Sequence, residues 1–198
     1  ARQNVAVGAT ALGAVTTGDN NTAIGYDALD SNTTGSNNTA VGKQTLNSNT
    51  TGTNNLAAGY GSLNSNITGT QNSGLGYFSL SSNTTGANNA AIGYYALSTN
   101  TNGSDNIAVG FLALQNATTA GNNTAVGSQS LKANTTGSDN VAVGSETLDT
   151  NTTGSNNTAI GASADVASAA LTNATAIGYE ASVAASNTMQ LGNTSVTN

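Results

Sequence analysis

The sequence contains no cysteine, histidine, proline or tryptophan, and only 6% of its 198 residues are charged. Each absence removes a class of chemistry. Without cysteine there are no disulfides and no thiolate nucleophiles or metal ligands; without histidine there is no imidazole base, His-based triad or His-metal centre. Most enzyme classes fall away, and no catalytic residue, metal site or cofactor is expected. No run approaches the roughly 18 apolar residues needed to cross a bilayer, and no basic n-region leads into an apolar h-region. The segment is therefore expected neither to insert into a membrane nor to carry a signal peptide, and a chain opening at Ala1 is expected to be a piece of a longer protein. Nine acids against Arg2, Lys43 and Lys132 give a formal charge of −6, which argues against nucleic acid or an anionic membrane as partner, because both need a basic footprint.

What remains is a narrow alphabet. Asn (31) and Thr (32) supply 63 of the 198 residues, whereas Leu, Ile, Val and Phe number only 33. That bulk composition reads as disorder. The order of the residues reverses the reading. The Gly of an A-[VI]-G tripeptide recurs every 17 residues from Gly8, Gly25 and Gly42 to Gly178, eleven positions without an insertion. Leu holds the same step from Leu12 to Leu148, and the unit reads N-T-A-[VI]-G-Y-x-A-L-x-S-N-T-T-G-S-N. A low-complexity linker has no reason to keep register over so many units.

Seventeen residues are too few for the helix pairs of α-solenoids or for a propeller blade. One stretch of strand character (N-T-A-I-G-Y) followed by Asn, Thr, Ser and Gly turn material predicts an all-β parallel β-solenoid, a β-roll with one repeat per coil. Stacking at about 4.8 Å per coil gives a rod roughly 50 Å long. Residues 1–161 form the regular 17-residue repeats, and residues 162–198 diverge, with a 14-residue step from Gly178 to Gly192.

Residues 17 apart become vertical neighbours, so columns can be read for side-chain roles. The Val/Ile column (Val7, Ile24, Val41, Leu75, Ile92, Val109, Val126, Val143, Ile160, Ile177; interrupted by Ala58) is expected to be core. The preceding column is Ala throughout except Gly74 and faces the opposite way; a tight coil interior and a subunit interface both remain open for it. The column Asn21, Asn38, Asn55, Asn72, Asn89, Asn106, Asn123, Asn140 and Asn157 is expected to stack as a structural amide ladder. So thin a core in a cysteine-free rod predicts a homo-oligomer.

The N-x-A-[IV]-G core with its following turn, the 14-residue step at the end and the closing tract SNTMQLGNTSVTN resemble the head repeats of YadA-like trimeric autotransporter adhesins. They are similar also to repeats of phage and large-virus tail fibres. The resemblance covers essentially the whole chain. It implies a left-handed roll, a homotrimeric fibre, an extracellular, cell-surface or virion location, and a host-surface glycan or protein receptor as partner.

The column after the repeat Gly offers the candidate binding site. Tyr60, Tyr77, Tyr94 and Phe111 follow one another in it, with Phe78 and Tyr95 alongside, while Lys43, Ser128 and Ser145 in the same column mark it as surface. Such a strip suits sugar rings or a protein partner, or simply stabilises the roll or packs between chains. Thr columns around Thr33, Thr50 and Thr84 suggest an alternative, a monomeric ice-binding or other surface-binding solenoid, although Thr beside Asn and Gly tends to bond local backbone. A purely structural filament subunit is a further alternative. Asp105 and Asp139, two coils apart in one column, are the best carboxylate pair, but Asn or Gln fills that column in most repeats, so they read as surface variants rather than a hydrolase pair.

Overall fold

The computed structural model describes residues 3–196. Ten three-residue strands, β1 to β10, occupy Val5–Val7, Thr22–Ile24, Thr39–Val41, Leu56–Ala58, Ser73–Leu75, Ala90–Ile92, Ile107–Val109, Thr124–Val126, Val141–Val143 and Thr158–Ile160. Each pairs in parallel with the strand 17 residues on, Ala6 with Ala23, Ala23 with Ala40 and so forward. The result is a parallel β-solenoid with one repeat per coil.

The sheet continues beyond the regular repeats on a shorter step. β12 (Thr175–Ile177) pairs with β10, and β14 (Met189–Leu191) pairs with β12 with Ile177 beside Leu191, so that the last coil uses 14 residues. The coil changes shape to match. β11 (Asp165–Val166) and β13 (Ser182–Val183) form a second, two-stranded wall, whose Val166 and Val183 are buried.

Inside the regular coils the parity of the strand is the reverse of the expectation. Past the end coil, where Ala6 is exposed, the Ala column is buried, with Ala23, Ala40, Ala57, Ala91, Ala108, Ala125, Ala142 and Ala159 at 0% exposure. The Val/Ile column is not core: Val7, Ile24, Val41, Ile92, Val126, Val143, Ile160 and Ile177 are exposed, and Leu75 and Val109 are partly so. The reason is room. The opposite wall already fills the lumen with one leucine, one small residue such as Ala96 or Ser79, and two asparagines per coil, leaving space for a methyl group and no more.

Two features let a 17-residue loop close. The repeat Gly after each strand holds φ between +118° and +142°, a region that residues with a Cβ avoid. The leucine column, Leu12 to Leu148, sits in the left-handed region at φ 48–53°. That conformation costs about 1–2 kcal/mol, which burying a whole leucine, about 1.5–3 kcal/mol, offsets.

Candidate functional site

The Asn column named from the sequence is buried from Asn21 to Asn157. Its bonding differs from a simple amide stack. Each Oδ1 accepts the backbone N–H of the Asn one coil on, at 3.0 Å for Asn38, Asn55, Asn72, Asn89 and Asn106. Each Nδ2 donates to a turn carbonyl 14 residues ahead, as from Asn72 to Gly86 at 2.8 Å and from Asn89 to Gly103 at 2.9 Å. Direct amide-to-amide bonds are a secondary contribution, as between Asn89 Nδ2 and Asn72 Oδ1 at 3.1 Å. The column thus satisfies backbone groups that the narrow lumen hides from water.

A second ladder went unrecognised in the sequence because it lies within the N-T-T-G tract read as turn. Asn49, Asn66, Asn83 and Asn100 each donate from Nδ2 to the Oδ1 of the Asn one coil back at 2.8 Å, and each also reaches the carbonyl of the Gly three residues on. The available signal was Asn at 32, 49, 66, 83, 100, 134 and 151, each on the same step. Coil seven breaks it with Ala117, and Asn100 Oδ1 is left buried without a donor. The same coil carries Ala120 where other coils have Gly. The two changes are coupled, since a Cβ on Gly35 or Gly52 would collide with Oδ1 of Asn32 or Asn49 three residues earlier. Restoring both, Ala117→Asn with Ala120→Gly, is expected to stabilise the chain by about 1–3 kcal/mol, whereas Ala117→Asn alone gains little or loses. Urea melts of the two single variants and the double variant check the non-additivity.

The outward columns carry the remaining candidates. Tyr60, Tyr77, Tyr94 and Phe111 are exposed and form one rank of parallel rings with centroids 5.4, 5.3 and 5.5 Å apart. Phe78 and Tyr95 form a second rank, 5.5 Å from one another, and meet the first edge-on at interplanar angles of 63–78°. The six rings therefore make a herringbone ridge over four coils. Parallel rings at these separations are offset, so each covers only part of its neighbour's face. Desolvation, then the neighbouring phenols of Tyr77 and Tyr94, push the Tyr95 phenol above its ordinary range. Below it, Lys43 Nζ lies 5.7 Å from the Tyr26 ring and 5.6 Å from that of Tyr60, within cation–π range.

Other candidates are used structurally. Hydroxyls of the inner Thr column donate one coil upward, Thr33 to Thr50 O at 3.0 Å, Thr84 to Thr101 O at 2.9 Å and Thr135 to Thr152 O at 3.0 Å, while the outer column around Thr34 and Thr51 is exposed. Asp105 and Asp139 occupy a left-handed turn position at φ 61° and 60°, where Asn and Asp are the favoured residues. Both are exposed, and Asp105 accepts from Asn88 Nδ2 at 3.0 Å. Among the described residues no group of three or more acidic side chains is placed to hold a metal ion, and no helix is long and apolar enough to cross a membrane.

The remaining surface feature is the stripe that the reversed parity creates. On each strand the first and third residues point outward, so an apolar third-position column runs beside a first-position column in which Thr22, Thr39, Thr124, Thr158 and Thr175 alternate with apolar residues. Compared with known proteins, the chain matches no protein-family model, no curated protein and no solved structure.

Proposed function

We propose that the chain is a non-catalytic module of a fibre, carried outside a cell or on a virion. Three copies lie side by side with their strand faces turned together and the other faces offered to a receptor. The observation that carries this reading is the bare stripe of Val7, Ile24, Val41, Ile92, Val126, Val143, Ile160 and Ile177. Eleven coil steps of about 4.8 Å by a three-residue strand about 10 Å wide make roughly 500 Å² of face, apolar along its third column and mixed with Thr along its first. A face of that size is in the range of the largest patch a soluble monomer leaves bare and adds up to a substantial part of the roughly 800 Å² per partner of a standard interface.

The residues along the stripe support contact between equal levels of the rod. Both outward positions are bulky and apolar in Val5 and Val7, Ile107 and Val109, and Val141 and Val143, and where the third position shrinks to Ala58 the first is Leu56. Every level of the rod therefore offers at least one apolar side chain to a copy packed level against level. The similarity of N-x-A-[IV]-G to trimeric adhesin heads supplies the number three.

Single cysteines test the arrangement in a chain that has none of its own. Val41→Cys, Ile92→Cys and Ile160→Cys lie on the third, sixth and tenth strands. Parallel, level copies give disulfide-linked pairs in all three variants under mild oxidation. Linking at Ile92→Cys alone would mean antiparallel copies, and no linking at any of them would mean that the stripe is not where copies meet.

A further inference from the structure

We propose that the aromatic ridge is a carbohydrate-binding platform, on which a linear pyranose chain lies along the rod with successive sugars against successive coils. The proposal rests on the reading of the chain as a receptor-presenting fibre module and gives that receptor a chemical class and a place.

Six of the eight aromatic residues stand in two adjacent columns of four consecutive coils. The fold does not ask for them. The same turn is built with Lys43 and Gln44, with Ser128 and Gln129, and with Ser145 and Glu146, and the second residue keeps its left-handed φ of 57°, 58° and 54° in each. The buried leucine column and the Asn21-to-Asn157 column likewise run unchanged through coils with and without the rings. A local enrichment that packing does not require points to a ligand.

The ridge also has the chemistry of a sugar site. Its rings fix one another edge-to-face, so binding would not have to freeze mobile side chains. Their partly uncovered faces and edges accept the C–H face of a pyranose, and the hydroxyls of Tyr60, Tyr77, Tyr94 and Tyr95 supply donors and acceptors for its rim. No carboxylate stands in either column across the ridge; Asp27 lies below it, Glu146 above it, and Lys43 closes the lower end. That leaves room for a neutral or acidic glycan.

Size and spacing separate this occupant from others. Four coils at about 4.8 Å give a strip near 15 Å long and, two columns wide, on the order of 150 Å², far smaller than the roughly 800 Å² that a protein partner or a second copy buries on one side. An extended peptide advances about 3.3 Å per residue, out of step with rings 5.3–5.5 Å apart. A chain of pyranoses, which advances by about one coil rise per sugar, stays in step.

The protein reports on the ridge itself, because it lacks tryptophan and four of its six tyrosines are there. Tyrosine fluorescence is followed while the chain is titrated with β-1,4-linked hexasaccharides of glucose, N-acetylglucosamine and mannuronate, with its molar mass measured in parallel. At least one sugar is expected to give a saturable change, weakened tenfold or more in the Tyr77→Ser, Tyr94→Ser double variant. Serine already occupies this column at Ser128 and Ser145, so that variant keeps its fold, which circular dichroism verifies. Tyr179→Phe, outside the ridge, is expected to leave binding unchanged. No saturable change with any of the three sugars would overturn the proposal, as would binding that survives the double variant. A double variant that falls to a smaller mass would instead make the ridge a contact between copies. Sugar binding by a wild-type chain that runs as a monomer would sink the trimer and leave the platform standing.

Discussion

Gly93→Ala is expected to cost about 3 kcal/mol or more and to split the single unfolding transition of the rod into two. Gly93 holds φ +138°, and strain of that kind costs about 1–3 kcal/mol for a residue with a side chain. The larger difficulty is steric. A Cβ there would sit 2.8 Å from the carbonyl carbon of Gly110 and closer still to its oxygen, and both are backbone atoms of the next coil that cannot turn aside. Relief requires coils six and seven to move apart at the contact between β6 and β7. In a solenoid each coil touches only its neighbours, so one weakened interface uncouples the stacks on either side. Calorimetry of the variant should therefore resolve two transitions. A single transition within about 1 kcal/mol of the parent would contradict this account of the glycine column.

Asn89→Ala is expected to cost about 3–5 kcal/mol, against less than about 1 kcal/mol for Asn88→Ala beside it. Asn89 is 1% exposed. Its Oδ1 accepts from the backbone N–H and the Nδ2 of Asn106, both at 3.0 Å, and its Nδ2 donates to Gly103 O at 2.9 Å. Truncation strands at least one N–H and one carbonyl in the lumen, at about 1–3 kcal/mol each, and adds a cavity. Asn88 is exposed, and its role is to favour a left-handed turn at φ 58°. Equal losses in the two urea melts would refute the distinction between the buried ladder and the turn.

The stack, its period and the direction of its strands could be read from the sequence because repetition turns a sequence into columns. Parity could not be read with the usual rule. A three-residue strand has one residue on one face and two on the other, and the habit of placing the bulkier column inside put Ile92 in the core and left Ala91 open. The better clue was tolerance. The Ala column admits only Gly74, where an added Cβ would meet Ser62 Oγ at 2.5 Å, while the neighbouring column accepts Ala58, Leu75, Val and Ile alike. Strictness of size marks the inside of a close-packed coil, and bulk marks the face that something else must cover.

The surface position of the aromatic column is legible from its Lys43 member, since a lysine charge does not fit a closed, narrow lumen. That its rings lock in two perpendicular ranks was not legible, because the angles depend on the left-handed backbone at Phe78 and Tyr95. The second Asn ladder was missed for a related reason. Asn, Thr and Gly in succession read as solvated turn, and only closure of the 17-residue loop turns Asn66 and Asn83 inward to bond each other at 2.8 Å.

The central claim, that the Val/Ile stripe holds copies together, is tested most directly by light scattering coupled to size exclusion. The parent chain should elute at three times its own 19.3 kDa, and a variant with Ile92→Asp and Val143→Asp should elute at 19.3 kDa with its circular dichroism unchanged, because neither side chain reaches the lumen. A parent chain that elutes as a 19.3 kDa monomer, or an oligomer indifferent to both aspartates, would contradict the claim.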